Sequence, residues 1–259
     1  MYIKKDTTTI NEIIKCIDLP AFKAYVDYNF GEYSCYSVNN KKSHMLMSGA
    51  FIYLTGMPDN YILKVCQSKL SSEKLERVTL IALNDLWEAY LKGIKLDFIL
   101  HKFRYRSKLV QFKNTTNVKE IKAQYKFIKI DEYIFYELKR NEWSRTLCLL
   151  YKDYNKFRVL GSGYVACINN EIISCAISYF TYKKGIEVAI ATKAIYQNKG
   201  LATYCASLLI SDNLEKGFEC NWDATSTHSL HIANKLGYQL KERYDAYYLY
   251  LDHHGLHKE

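Results

Sequence analysis

The sequence predicts an α/β protein built around a mixed sheet, and three observations carry this prediction. Residues 187–217 read as a strand, a short loop and a helix that stops at Gly217. Over residues 122–251, strand-like and helix-like segments follow one another in the order β-α-α-β-β-β-α-β-α-β. A chain of 259 residues is long enough for one large domain or two modest domains, each able to bury a core. We therefore predict a smaller α/β domain at residues 1–119 and a larger α/β domain at residues 120–259.

The N-terminal domain has the weaker pattern. Isoleucines recur at helical spacing over residues 10–17 and predict a short helix that ends before Pro20. Asn84 or Asp85 is expected to cap a helix that ends at Gly93. Strands are predicted at residues 45–55, 76–82 and 98–105. Together these segments predict a second, small α/β layer.

The C-terminal domain begins with a predicted strand at residues 122–130, and Asp131 can cap the helix that follows. Asn169-Asn170 favours a tight hairpin between two strands, because asparagine tolerates the positive φ angles of such turns. The other elements are predicted, in chain order, as a helix at 143–151, strands at 157–168 and 172–182, a strand at 218–223, a helix at 226–235 closed by Gly237, and a last strand at 243–251.

The central stretch contains a loop whose geometry favours an anion. A mostly apolar strand follows Glu187, and the next helix begins after Gly200. The first N–H groups of a helix have no intrahelical partner. A loop that turns directly from strand to helix therefore directs them, with the positive end of the helix dipole, at one point. Gly200 lacks a Cβ that would hold a ligand away, and Lys199 lies beside it. The loop therefore predicts a phosphate or pyrophosphate site.

This loop also carries a family resemblance. Its residues Gln197-Asn198-Lys199-Gly200-Leu201-Ala202 fit the pattern Q/R-x-x-G-x-G/A between a strand and a helix. In this position the pattern resembles the acetyl-CoA loop of the GNAT N-acetyltransferase superfamily, and the order of elements is the order that the family uses. A narrower resemblance is to the GNAT subgroup with an extra N-terminal half, for which a degenerate GNAT-like half is one interpretation. It rests on residues 84–87, 157, 161–164, 197–202, 222–224 and 236–238.

The resemblance implies that acetyl-CoA is the co-substrate and that its acetyl group passes directly to a primary amine. The pyrophosphate would lie on main-chain amides of the loop, and the pantetheine arm would lie along the preceding strand. Ser226 occupies a slot where many relatives have an Asn that contacts this arm, and a hydroxyl can replace one such hydrogen bond. The cofactor residues implied are Ile190, Ala191, Thr192, Gln197, Asn198, Lys199, Gly200, Leu201, Ala202, Ser226 and Ser229.

Glu187 is the candidate general base, since a carboxylate on the central strand can deprotonate an ammonium directly or through water. The alternative is a solvated charge at the start of a strand. Some relatives carry a Tyr as general acid four residues before the glycine that corresponds to Gly237, and Ala233 stands there in this sequence. The acid must then be another group or water, or be dispensable. A degenerate family member that binds a CoA ester or a partner without turnover is therefore the alternative function.

Residues 102–129 account for most of the net charge of +9, because they hold nine Lys or Arg and one acid, Glu120. Interleaved aromatic residues suggest nucleic acid as a partner. A linker and an edge strand with solvated lysines explain the same charge, and we favour this interpretation. We therefore expect no sequence-specific nucleic-acid binding. The expected partner is an amine acceptor, which could be a small amine, a polyamine, an antibiotic or a protein amino group.

Cysteine usage and hydropathy bear on the compartment. The eight cysteines include no C-x-x-C pair and mostly lie in apolar runs, which predicts buried, reduced thiols rather than a disulfide framework or a metal site. The N-terminal residues lack the apolar run of a signal peptide. No stretch reaches the roughly 18 apolar residues of a transmembrane helix. We expect no membrane association and a cytoplasmic location.

Overall fold

The computed structural model describes residues 3–4, 18–38, 41–116 and 119–251. The helix predicted over residues 10–17 lies outside the described residues. The chain forms two compact units. Unit 1 takes in Gly31–Arg104 with the described residues of Met1–Tyr25 and Tyr244–Glu259, and unit 2 takes in Val26–Phe30 and Tyr105–Arg243. The boundary at residues 119/120 stays a prediction, while the compact units divide after Arg104 and again before Tyr244.

Unit 1 has the strand order β1-β2-β3-β4-β5-β12-β6. Neighbouring strands from β1 to β4 are antiparallel, β4 and β5 are parallel, and β5 and β12 are antiparallel. Its elements are β1 (Ile3–Lys4), α1 (Pro20–Tyr28, whose last residues belong to unit 2), β2 (Glu32–Val38), β3 (Lys41–Ser48), β4 (Phe51–Gly56), α2 (Asn60–Ser72), β5 (Arg77–Ala82), α3 (Asp85–Gly93), the first part of β6 (Ile99–Leu109) and the last part of β12 (Tyr238–Tyr250).

Two predictions for unit 1 have clear outcomes. The helix cap is confirmed, since the Asn84 side chain accepts a hydrogen bond from the Trp87 amide at 3.1 Å. The single strand predicted at residues 45–55 is wrong. Gly49-Ala50 forms a turn in the middle of this apolar run, with Gly49 at a φ of 60°, and the flanking segments pair as the antiparallel strands β3 and β4. A run of apolar residues does not reveal such a turn, because both strands of the hairpin are apolar.

Unit 2 has the strand order β6-β11-β10-β9-β8-β7, in which only β10 and β11 are parallel to each other. Its remaining elements are α4 (Lys119–Gln124), β7 (Lys126–Lys129), α5 (Glu132–Arg140), a 3₁₀ turn (Arg145–Cys148), α6 (Tyr154–Leu160), β8 (Gly163–Ile168), β9 (Glu171–Tyr182), β10 (Gly185–Thr192), a 3₁₀ turn (Ala194–Tyr196), α7 (Leu201–Glu215), β11 (Glu219–Ala224) and α8 (Thr227–Lys235). From β7 onward the predicted order of elements is confirmed.

Three segment boundaries in unit 2 were predicted wrongly. Residues 122–130 hold the end of α4 before strand β7, and residues 143–151 form only the 3₁₀ turn. The second helix is α6, which takes the first part of the strand predicted at residues 157–168. Asp153 caps α6 by accepting a hydrogen bond from the Lys156 amide at 2.9 Å. Phe157 turns inward against the Phe135 ring, with centroids 5.0 Å apart, and this tertiary contact favours the helix over a strand.

The core of unit 2 lies on one face of its sheet. Ile186 and Val188 on β10 and Cys220, Trp222 and Ala224 on β11 are buried there against α7 and α8. Because successive side chains of a strand point to opposite faces, the alternate residues of β10 and β11 lie on the other face. Glu187 is therefore presented away from the helices.

Among the described residues, seven cysteines are free and buried, which confirms the predicted reduced thiols at these positions: Cys35, Cys66, Cys148, Cys167, Cys175, Cys205 and Cys220. The same part of the chain contains no group of three or more His, Cys, Asp or Glu side chains placed to hold a metal ion. No helix within it combines the length and the hydropathy needed to cross a membrane.

Candidate active site

Strand β10 is paired along only part of one edge. On one side it pairs with β9 from Gly185 to Thr192, with a bulge between Glu187 and Val188. On the other side it pairs with β11 only at its first three residues, Gly185, Ile186 and Glu187. Residues 188–192, all of which the structure describes, therefore pair with no residue of β11. Their backbone faces a gap that an extended, amide-bearing ligand can enter and pair with.

The loop after β10 ends at the start of helix α7. Gly200 is the N-cap of α7 and has a φ of 78°, a left-handed conformation that glycine adopts without steric penalty. Asn198 is also left-handed, with a φ of 61°. Within the part of the chain that the structure describes, no side chain caps the first amides of α7, so these N–H groups stay available to an anion. The predicted phosphate site thus has the backbone geometry that an anion requires.

Neighbouring side chains fix this loop on both sides. The Gln197 side-chain amide donates to the Thr192 carbonyl at 3.4 Å and folds the loop back towards the end of β10. A Cβ at Gly200 would lie 3.2 Å from Cδ1 of Ile121, so α4 closes the other side. The exposed Lys199 has its ammonium 5.2 Å from the centre of the Tyr196 ring. Lys199 therefore adds a cation to the same loop as the uncapped amides, and this charge can attract a phosphate.

Glu187 is half-buried and lies directly across from Asn221 in the parallel β10–β11 pair. The side chains of such a pair lie on the same face of the sheet. Glu187 and Asn221 are the last pair before the two strands separate. The candidate base therefore lies at the closed end of the gap, where the thioester end of a ligand on residues 190–192 would arrive.

Three more polar side chains lie beside Glu187, and sequence reasoning missed them. The Tyr182 hydroxyl donates to the Glu219 carboxylate at 2.9 Å and accepts from the Asn221 side-chain amide at 2.8 Å. Burial raises the pKa of Tyr182 above its ordinary value, and the nearby charges of Glu219 and Glu187 act in the same direction. The alternation of polar and apolar residues in β11 indicates that Glu219 and Asn221 share one face of the sheet. The sequence does not show the strand register, which is what places these residues beside Glu187.

The two serines predicted for the cofactor arm lie at the start of α8. Ser226 is the N-cap, and its hydroxyl oxygen accepts from the Ser229 amide at 3.2 Å. The Ser229 hydroxyl in turn accepts from the Trp222 indole at 3.2 Å. Both serines therefore have structural partners as well as the binding role predicted for them. Ala233 is fully buried, so no hydroxyl replaces the missing tyrosine at that position.

The structure brings most of the predicted site residues together along one path. Ile190, Ala191 and Thr192 border the gap, and Thr192 is anchored through a 2.7 Å hydroxyl contact with Ser174. The loop residues Gln197, Asn198, Lys199, Gly200, Leu201 and Ala202 follow directly. Their roles in binding stay predictions.

Several residues of the basic segment have intramolecular partners. Arg104 is 2% exposed, and its guanidinium lies 4.7 Å from the centre of the Phe51 ring. Arg106 forms an ion pair with Glu242 at 2.6 Å. Such contacts hold these cations in the fold and leave less of the segment's charge for phosphates.

Comparisons with known proteins bear on this site. The family model described as GNAT acetyltransferase matches residues 11–247. A solved GCN5-related N-acetyltransferase-like protein from Streptococcus suis is 27% identical, with a TM-score of 0.79 over 93% of this chain and 98% of that chain. No curated protein matches the sequence.

Two more distant solved structures share the fold alone. A putative GNAT acetyltransferase from Novosphingobium aromaticivorans is 12% identical, with a TM-score of 0.52 over 90% of this chain and 96% of that chain. A GCN5-related N-acetyltransferase from Kribbella flavida is 10% identical, with a TM-score of 0.54 over 85% and 91% of the two chains.

Proposed function

Because the chain belongs to the GNAT acetyltransferase family, we propose that it transfers an acetyl group from acetyl-CoA to a primary amine by direct attack on the thioester. The observation that carries this proposal is the separation of β10 from β11 after Glu187. The separation leaves a strip of unpaired backbone that leads from an uncapped helix N-terminus to a carboxylate.

Acetyl-CoA fits this strip by its own chemistry. Its pantetheine arm carries two amides and can pair with the free edge of residues 190–192 as a neighbouring strand would. Its pyrophosphate can accept hydrogen bonds from the amides of residues 198–202, with Lys199 adding a positive charge. The thioester then lies near Val188, beside Glu187.

The reaction requires proton transfers before and after one substitution. An amine arrives mostly as an ammonium, and Glu187 removes one proton directly or through water. The neutral nitrogen attacks the carbonyl carbon, a C–N bond forms, the C–S bond breaks, and the nitrogen, positively charged after the attack, releases its second proton. The CoA thiolate then takes up a proton. Ala233 cannot supply it, so water or another side chain is the donor in this proposal.

A second candidate function rests on Ala233. A family member that lacks the usual tyrosine acid could bind a CoA ester or a partner without turnover. The loop at residues 197–202 keeps the geometry for binding in either case, so binding alone does not separate the two functions. Turnover of a defined amine separates them.

The acceptor is a small or protein-borne amine, and nucleic acid is not part of the proposal. The seven buried, reduced thiols support a cytoplasmic location. The test is calorimetry with acetyl-CoA, followed by an amine screen in which release of free CoA thiol is measured. Binding together with thiol release that depends on the amine is expected. Absence of acetyl-CoA binding would contradict the proposal, and binding without release from any amine would favour the second candidate.

A further inference from the structure

A short hydrogen-bonded chain lies on the Glu187 face of the unit 2 sheet. The Asn221 side-chain amide donates to the Tyr182 hydroxyl at 2.8 Å and to the Ile186 carbonyl at 3.2 Å. The Tyr182 hydroxyl donates onward to the Glu219 carboxylate at 2.9 Å. The chain therefore joins β9, β10 and β11 at the closed end of the gap.

The direction of every hydrogen bond in this chain is fixed by its end groups. A main-chain carbonyl and an ionised carboxylate can only accept. The Asn221 side chain must therefore direct its NH₂ group to the Ile186 carbonyl and to the Tyr182 hydroxyl. The hydroxyl must in turn donate its own hydrogen bond to Glu219. Both N–H bonds of Asn221 are used. Its carbonyl oxygen, Oδ1, is left as an acceptor, and no hydrogen bond to it is found among the described residues.

Packing holds the tyrosine in this position. Tyr182 is 1% exposed, and its hydroxyl would lie 2.8 Å from a Cβ at Gly185. The ring therefore crosses β10 where glycine leaves room for it, two residues before Glu187. A side chain at position 185 would clash with the main-chain carbonyl of Glu219 as well as with the Tyr182 hydroxyl, and would therefore disturb both β11 and the tyrosine.

From this geometry we infer that Asn221 is a second residue that binds the acceptor amine, with Oδ1 accepting a hydrogen bond from the nitrogen that Glu187 deprotonates. Tyr182 and Glu219 are positioning residues, since they hold the Asn221 amide in the orientation that presents Oδ1. The inference rests on the proposed acetyl transfer. Loss of a proton to Glu187 leaves a neutral amine with one lone pair and two N–H groups, and Oδ1 accepts from one of these N–H groups. This hydrogen bond holds the nitrogen beside the thioester while the lone pair is available for attack on the carbonyl carbon.

A bisubstrate probe tests the inference without knowledge of the natural acceptor. The probe is a CoA thioether whose sulfur carries –CH₂–CO–NH–propyl, so that an amide N–H stands where the attacking nitrogen would be. Calorimetry compares its affinity with that of CoA for the parent, Asn221→Ala and Tyr182→Phe. Asn234→Ala, an exposed position on α8, is the matched control.

The parent is expected to bind the probe more tightly than CoA. Asn221→Ala should lose about fivefold to tenfold in probe affinity, the effect of one hydrogen bond, while its CoA affinity stays at the parent value. Tyr182→Phe should show a smaller loss, again for the probe alone. Asn234→Ala should match the parent with both ligands. CoA affinity is also the internal control for folding.

The outcomes separate this inference from the proposed function. Unchanged probe affinity in a folded Asn221→Ala protein would overturn the inference and leave acetyl transfer standing. If Asn221→Ala fails to fold, Tyr182→Phe is the deciding variant. A probe affinity of Tyr182→Phe equal to that of the parent would overturn the role of the hydrogen bonds that join Asn221, Tyr182 and Glu219. A parent protein that binds CoA but gains nothing from the propylamide would also overturn it. Absence of CoA binding to the parent would overturn both the proposed function and this inference.

Discussion

Gly200 and Ile121 lie in close contact: a Cβ on Gly200 would sit 3.2 Å from Cδ1 of Ile121. The contact joins the loop at residues 197–202 to α4, a short helix whose last three residues lie in the strand predicted at residues 122–130. Because Ile121 lies so close, the loop has little room to accommodate a side chain at position 200. Its left-handed N-cap and its free amides depend on glycine at this position.

Gly200→Asp is expected to weaken acetyl-CoA binding roughly tenfold or more. The Asp side chain would occupy the anion site, and its negative charge would repel the pyrophosphate. Gly217→Asp is the matched control. Gly217 has nearly the same backbone conformation, with a φ of 77°, at the other end of α7, and a Cβ there meets no atom within 4 Å. Both variants should lose about 1 kcal/mol of stability from the left-handed backbone. Equal acetyl-CoA affinity of the two variants in calorimetry would show that the loop at residues 197–202 does not bind the cofactor.

Ser226→Ala should lower the free energy of unfolding by about 1 kcal/mol, because α8 loses its N-cap hydrogen bond to the Ser229 amide. Ser226→Asp retains a capping oxygen and should restore most of this stability. The measurement is denaturant unfolding of the three proteins. An Ala variant as stable as the parent would show that the cap contributes little.

The buried cysteines should be nearly unreactive in the native protein. Burial raises the pKa of Cys66, Cys148 and Cys220 to about 12 each, so almost no thiolate is present near pH 8. The seven cysteines within the described part of the chain are all buried, and the sequence holds one more, Cys16. A thiol reagent such as DTNB should therefore label at most one cysteine rapidly. All eight should react after unfolding in guanidinium chloride. Rapid labelling of several thiols in the folded protein would contradict the burial.

Asp245 in unit 1 should make stability depend on pH at the acid end. Its carboxylate contacts His101 at 2.7 Å and Lys92 at 3.1 Å, and these two partners, His101 first, lower its pKa below the ordinary value. A depressed pKa stabilises the folded state above the ordinary Asp pKa of about 3.9, and this contribution disappears as pH falls through the folded-state pKa.

Asp245→Asn should therefore lower the thermal midpoint at neutral pH, and its difference from the parent should shrink below about pH 4. Asp97→Asn, a change at an exposed carboxylate with no ion pair among the described residues, is the control and should match the parent throughout. A deficit of Asp245→Asn that stays constant from neutral to acid pH would show that the lost interaction is not electrostatic.

Local signals explain how much of the fold the sequence predicted. Asp131 was recognised as a helix cap, and Asn84 was one of two candidates with Asp85, because capping depends on a few adjacent residues. Asn84 and Asp131 both accept the expected amide hydrogen bonds. The loop at residues 197–202 was found for the same reason. The strand predicted from Phe157 failed because the burial of that ring against Phe135 is a tertiary contact.

Site features that depend on register could not be predicted. Nothing local in the sequence shows that Asn221 faces Glu187, or that β11 leaves β10 immediately afterwards. The hydrogen bonds of Tyr182 join residues 37 and 39 positions apart in the chain. The candidate base and the cofactor loop were therefore accessible from the sequence, whereas their polar surroundings required the fold.

The most direct test of the account is the rate of CoA thiol release from acetyl-CoA with an amine found in the screen, measured across pH for the parent and Glu187→Gln. Glu215→Gln, at an exposed position near the end of α7, is the matched control. Glu187→Gln should bind acetyl-CoA as the parent does and lose about 10²- to 10⁴-fold in turnover near neutral pH. Its rate should recover partly at higher pH, as free amine becomes available. Turnover equal to that of the parent at every pH would contradict a role for Glu187 in the transfer.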